Sequence, residues 1–182
     1  MELSNSLIFG NVYSGPLKAS TLAWIRAAFP SGNAWLSTHR LPLCAHRNTI
    51  IRDSALPMIA AKEYDWVFFV DHDVTITHPG LEDFLAVDAD VVSCNCPMGN
   101  EKAWDKPDDF HNHFWRCRPV VLQTIKPPWF AMPTSEDGCD VVGCDCLYFR
   151  QKAIAAGFTI AHGGYCGHTN AGTWLGDIVK VK

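Results

Sequence analysis

The sequence has no apolar run that approaches the length needed to cross a bilayer, so nothing in it reads as a helical membrane span. It also lacks an excess of positive charge: 15 Lys and Arg face 19 Asp and Glu, for a net charge of -4. A chain that neutralises many phosphates shows the opposite balance, so nucleic acid is not indicated as a partner and stays open only as an acceptor. The first residues, Met1-Glu2-Leu3-Ser4-Asn5, have neither the positive region nor the apolar core of a signal peptide. The expectation is a cytoplasmic protein whose cysteines stay reduced. Internal repeats and low-complexity tracts are absent. Cysteine is plentiful, at 8 residues, but metal-knuckle spacing is missing. Cys94-x-Cys96, Cys139, Cys144-x-Cys146 and Cys166 are irregularly placed, and two of the pairs are separated by a single residue. Structural zinc wants pairs set further apart. Small buried hydrophobes are the better reading. The triplet His111-Asn112-His113 spells a nuclease-like pattern with nothing beside it to support one, and reads as loop.

What is present suits one soluble domain spanning residues 1–182, large enough to bury a core. Leu7-Ile8-Phe9 reads as a strand that ends before Gly15-Pro16. Leu22, Ile25, Ala28 and Phe29 recur at helical spacing, and Pro30-Ser31-Gly32 stops them. Ala34-Trp35-Leu36-Ser37 reads as a second strand. His46-Arg47-Asn48 opens a helix with Ile51, Ala55, Met58 and Ile59 on one stripe, kinked or shortened by Pro57. Thr77 caps a helix with Pro79 in its first turn, and Asp90-Val91-Val92-Ser93-Cys94 is another short strand. This alternation predicts an α/β fold with a mainly parallel sheet. After the polar stretch 97–109, residues 114–125 read as an edge or antiparallel strand. A helix follows Asp145 and ends at Gly157, then comes a strand over Phe158–Ala161. Residues His162 to His168 form a glycine-rich loop.

The centre of this pattern is Asp65-Trp66-Val67-Phe68-Phe69-Val70-Asp71-His72-Asp73. An unbroken apolar run reads as a strand buried on both faces. It stops at two carboxylates, where open α/β sheets keep their ligands. If the chain stays extended there, Asp71 and Asp73 point to one side and can share one hard cation such as magnesium or manganese.

The ordered set of segments resembles a small, phage-type glycosyltransferase of the GT-A class with an Asp-x-Asp motif. The resemblance rests on Arg47-Asn48 on a helix before the carboxylate strand, the 65–73 stretch itself, Pro79 with Leu81, and Asp90-Val91-Val92. It continues through Pro128-Trp129-Phe130, Gly143-Cys144-Asp145 with Phe149, Ala156-Gly157-Phe158 and Cys166-Gly167-His168, covering roughly residues 45 to 170. Two departures stand out: Cys144 occupies a position where the family has Glu, and residues 99–113 have no counterpart.

The resemblance implies a Rossmann-type GT-A sheet flanked by helices, with a small antiparallel portion on the acceptor side. It implies sugar transfer from a nucleotide-diphosphate donor to an acceptor hydroxyl. Asp71, Asp73 and His168 would be the metal set, with Mn2+ favoured over Mg2+ because one ligand is nitrogen. Arg47, Asn48 and Asp71 would contact the donor, while Trp129 and Phe130 would line the acceptor side. Asp145 would be the general base of an inverting displacement, or a helix cap. Two other readings of the residues stay open: a nucleotidyltransferase, and a catalytically degenerate module that binds without turnover.

Overall fold

The computed structural model describes Leu3 and residues 5–11, 18–29, 33–37, 43–96, 110–136 and 143–168, with the backbone alone at Leu36, Ser37 and His168. The expected loops at Gly15-Pro16, at Pro30 to Gly32 and over residues 97–109, together with Asp137, Gly138 and Cys139, lie outside the described residues.

Among the described residues, seven strands form one sheet: β1 (Ser6–Asn11), β2 (Ala34–Ser37), β3 (Trp66–Asp71), β4 (Val74–Ile76), β5 (Val91–Asn95), β6 (Phe114–Cys117) and β7 (Ile160–His168). Their order is β2-β1-β3-β6-β5-β7-β4. β1 runs parallel to β2 and β3, and β5 runs parallel to β7, whereas β6 lies antiparallel between β3 and β5 and β4 antiparallel to β7. Five of these strands therefore share one direction. The described helices are α1 (Ala19–Ala28), α2 (Leu43–Ile50), α3 (Leu56–Ala61), α4 (His78–Ala86), α5 (Pro119–Thr124) and α6 (Asp145–Ala155).

The pleat of β3 sorts the core into two layers. Val67 and Phe69 join Leu7, Phe9 and Trp115 in a cluster closed by Ile50, Ile59, Leu122 and Phe149 from α2, α3, α5 and α6. Phe68 and Val70 join Ile8 and Phe114 in the opposite cluster, closed by Ile25 of α1 and Phe84 of α4. Both faces are thus covered, which explains why β3 reads as a continuous apolar run. Aromatic stacking ties β1, β3 and β6 across the first layer, with Phe69 and Trp115 at 4.4 Å between ring centroids and Phe9 and Phe69 at 5.6 Å.

Several expectations are met and others corrected. Thr77 does cap α4, its Oγ1 accepting the Gly80 N–H at 3.2 Å. Pro57 does disturb its helix: residues Ile51–Ala55 form a π-helical stretch between α2 and α3. Proline offers no N–H to the preceding turn, and the wider turn removes the demand for one. The segment 114–125 is only partly strand. β6 stops at Cys117, Arg118 is extended, and Pro119 starts α5 with the φ a first helical turn requires. Residues 162–168, expected as loop, belong to β7. Glycine there serves close packing. β7 presses on α4 so tightly that a Cβ at Gly164, which has φ +65°, would stand 2.3 Å from the Gly80 carbonyl oxygen. The far end of α4 is closed by buried Arg116, whose Nη2 donates to the Val87 carbonyl at 2.6 Å while its guanidinium lies 3.7 Å from the Trp66 ring centroid. Burial, with Arg118 nearby, brings Arg116 down to about 10. Among the described residues no helix is long and apolar enough to cross a membrane.

Two glycines separate strain from crowding. A Cβ at Gly157 (φ +86°) would meet nothing within 4 Å, whereas one at Gly164 would meet the backbone of both Gly80 and Phe84. Gly157→Ala should cost about 1–2 kcal/mol, the price of a left-handed conformation alone. Gly164→Ala should cost clearly more, because the β7–α4 contact must also open. Urea midpoints of the two variants check this, and equal losses would contradict it.

Candidate active site at the strand ends

β1 and β3 end level with each other, Asn11 opposite Asp71, and their last side chains meet: Asn11 Nδ2 donates to Asp71 Oδ1 at 3.0 Å. β6 enters antiparallel at this point, with Phe114 opposite Val70. That register brings His113 beside Asp71, whose N–H donates to the His113 carbonyl at 2.7 Å. The His113 imidazole Nδ1 lies 3.1 Å from Asp71 Oδ2. From α2, Arg47 Nη2 donates to both Asp71 oxygens at 3.3 and 3.2 Å, and Nη1 donates to Asp145 Oδ2 at 2.5 Å. Asp145 is the first residue of α6, and a carboxylate is favoured there by the helix dipole. One guanidinium therefore joins carboxylates 24 and 98 residues away in the chain.

The network is buried: Asp71 is 0%, Asp73 1%, Arg47 2% and Asp145 4% exposed. Burial pushes the Asp71 carboxyl up, but Arg47, His113 and Asn11 outweigh it and hold it below its ordinary value. Burial likewise opposes charge on Arg47, and Asp71 with Asp145 outweighs it, so the guanidinium is held above its ordinary value. Both groups are charged at neutral pH. The strand ends thus bring two buried carboxylates, Asp71 and Asp145, to one buried guanidinium, with buried Asp73 on the turn that follows.

Each expected site residue has a definite place. Asp71 ends β3, and His72 and Asp73 form the turn into β4, so the two carboxylates are not successive same-face positions of one extended strand. Asp71 accepts four hydrogen bonds on its two oxygens, which fills a carboxylate's lone-pair positions. β7 brings the backbone of His168 opposite Val74, next to Asp73 in sequence. Among the described residues no three His, Cys, Asp or Glu side chains are placed to hold a metal ion. The described cysteines, among them Cys94, Cys96, Cys117 and Cys166 in the core, are free thiols, as expected.

Arg47 does not open its helix, and it is buried. It lies in the last turn of α2, where Nη1 and Nη2 serve the two carboxylates and Nη2 also reaches the Asn112 carbonyl at 3.5 Å. Asn48 is a clip: its Oδ1 accepts the N–H groups of Trp129 and Phe130 at 3.0 and 2.9 Å, and its Nδ2 donates to the Phe130 carbonyl at 2.7 Å. Trp129 and Phe130 are core residues, 3% and 1% exposed. The indole Nε1 donates to the Leu122 carbonyl at 3.2 Å, and Phe130 stacks on Phe149 at 5.0 Å beneath Arg47. Their rings form the floor of the network and present no face to an acceptor. Asp145 does not cap α6; Cys144 holds that position without a side-chain hydrogen bond. Sequence reasoning missed Asn11 and His113. The signal for Asn11 was a polar residue closing an apolar strand, and for His113 a polar triplet directly before one.

No protein-family model matches the sequence, and no curated protein matches it. Solved structures do match. A197 from STIV superposes with a TM-score of 0.54 at 18% identity, covering 90% of this chain and 83% of that one. TarS of S. aureus gives 0.47 at 15% identity over 91% of this chain, which spans 60% of that structure. A glycosyltransferase involved in glycosylation of the major capsid of PBCV-1 gives 0.43 at 11% identity over 91% and 93% of the two chains. At these identities the likeness is one of fold, a mainly parallel α/β sheet flanked by helices.

Removing the shared guanidinium tests the network. Arg47→Met should cost about 3–5 kcal/mol, because it leaves two buried carboxylates without their cation. The sign with pH follows from Asp71. A carboxyl held below its unfolded value contributes stability at neutral pH that is lost as the pH falls through the folded value. The variant lacks the main group holding Asp71 down, so its deficit should be largest at neutral pH and shrink toward the ordinary carboxylate range. Urea titrations at pH 7 and pH 4.5 check this; a pH-independent deficit would show that packing of Arg47, not its charge, matters.

Proposed function

We propose that the protein transfers a sugar from a nucleotide-diphosphate donor to an acceptor hydroxyl. The observation that carries the reading is the buried Asp71–Arg47–Asp145 network at the carboxyl ends of β1 and β3, with Asp73 on the next turn. Such strand ends are where open α/β sheets bind nucleotides. The motif order from Arg47 to His168 supports the same chemistry.

In this reading Asp73 and His168 would hold a divalent cation, Mn2+ or Mg2+, which would supply Lewis-acid neutralisation of the leaving diphosphate. The other roles belong to the chain itself. Asp71, fixed by Asn11, Arg47 and His113, is a buried anchor that sets the positions of Arg47 and His113 at the strand ends. Arg47 holds that carboxylate and Asp145 in one geometry, which is worth rate because reacting groups must be prepositioned. Trp129, Phe130 and Asn48 support the floor under Arg47. The α6 start, with half-buried Cys144 ahead of Asp145, borders the acceptor end. Attack by one hydroxyl in a single displacement inverts the anomeric centre.

The test is a panel of nucleotide sugars incubated with the full chain and Mn2+, following release of nucleotide diphosphate. At least one donor should be hydrolysed slowly or transferred. Asp73→Asn should abolish the Mn2+-dependent part of that release and remove any Mn2+-dependent rise in thermal midpoint with the same nucleotide. Tight donor binding with no release from any donor would leave a binding module in place of an enzyme.

A further inference from the structure

We propose that His113, oriented by Asp71, is the base that takes the proton from the acceptor hydroxyl. The inference rests on the glycosyl-transfer reading and adds a residue to it from the stretch 99–113, which the family resemblance does not cover.

Three observations carry it. The first is access. The His113 side chain is 21% exposed, while those of Asp71, Arg47 and Asp145 are 0%, 2% and 6%. A ligand reaching the network meets the imidazole first.

The second is tautomer and orientation. Nδ1 lies 3.1 Å from Asp71 Oδ2, an oxygen that also accepts from Arg47 Nη2. In the proposed arrangement Nδ1 donates to Asp71 and the basic lone pair is on Nε2. A carboxylate behind the imidazole also stabilises the imidazolium as it forms, the logic by which an Asp orients a catalytic His. The backbone holds the ring in place: Asp71 N–H donates to the His113 carbonyl at 2.7 Å, and the His111 N–H two residues earlier donates to Ser93 Oγ at 3.1 Å. His111 stands beside it, ring centroids 6.4 Å apart.

The third is the state of the residue the family pattern would nominate. Asp145 Oδ2 accepts from Arg47 Nη1, and the Cys146 thiol sits on Oδ1 at 3.7 Å. To take a proton, Asp145 would have to give up an ion pair inside a buried site, a step that costs several kcal/mol when one partner is lost. His113 takes a proton with its counter-charge already in contact.

The step balances without a further reactant. The acceptor oxygen forms the new bond to the anomeric carbon while its proton passes to His113 Nε2. The bond from the anomeric carbon to the diphosphate oxygen breaks, and its electron pair leaves with the nucleotide diphosphate. The imidazolium returns its proton to water after product release.

The experiment uses the full chain with whichever donor and acceptor the wild type turns over. His113→Asn retains an amide donor near the Nδ1 position but has no base. It should lower kcat by ~10²-fold or more, within the range general-base catalysis contributes, with donor KM within about threefold and the thermal midpoint little changed. Imidazole added to His113→Gly should restore a substantial part of the lost rate. Transfer by His113→Asn within a few-fold of wild type overturns the assignment, as does a loss carried entirely by donor KM, or a folded His113→Gly that imidazole does not rescue. A wild type that releases nucleotide diphosphate from no donor removes the glycosyl-transfer reading and the base together; active wild type with active variants removes the base alone.

Discussion

The structure depends on one buried charge. Arg47 reaches from α2 across the top of the sheet and bonds carboxylates from β3 and α6, so three elements far apart in sequence converge on a single guanidinium. A unit pair at such separations is worth about 4 kcal/mol at a protein-like dielectric, and desolvation takes much of that back. The arrangement is therefore poorly explained as a source of stability. Its consequence is geometric: it fixes where the end of β3 lies relative to the start of α6. Arginine suits the task because its planar fork can serve two carboxylates at once, which a lysine ammonium on a flexible stem would not do with the same definition.

Around that charge the fold supplies a rigid seat. The Phe130 ring lies beneath the guanidinium and is itself stacked on Phe149, which belongs to the core layer beneath the sheet. Asn48, one residue after Arg47, clips the backbone carrying Phe130. Displacement of the 129–130 segment would therefore be felt at Arg47 and at both carboxylates. The position of Arg47 thus derives in part from aromatic packing below it, through Phe130 and the segment that carries it.

The antiparallel insertion of β6 between β3 and β5 shapes the site. A purely parallel sheet would have placed another strand end beside Asp71. Here a strand start lies there instead, and a strand start brings the residues that precede it, Asn112 and His113, to the level of the site. The Asn112 carbonyl and the His113 imidazole complete the surroundings of Arg47 and Asp71.

Much of this was legible in the residues. The unbroken apolar run ending at Asp71, the helical stripe over Ile25, the Thr77 cap with Pro79 and the glycine after α6 are local patterns, set by side-chain periodicity and backbone sterics within a few residues. Those determine the α/β class and the position of the carboxylates at a strand end. What only the tertiary structure decided is nonlocal. Arg47 reads as a donor contact at the start of a helix until α6 is brought against it from 98 positions away. Trp129 and Phe130 read as a sugar platform until the Asn48 clip turns them into the core. His113 reads as loop until β6 slots in antiparallel beside β3. Residues 162–168 read as a glycine-rich loop until α4 packs so closely that only glycine fits. The physical reason is common to all four: sequence periodicity reports which face of an element is buried, but not against which partner, and charge pairing, strand order and close approach are properties of partners.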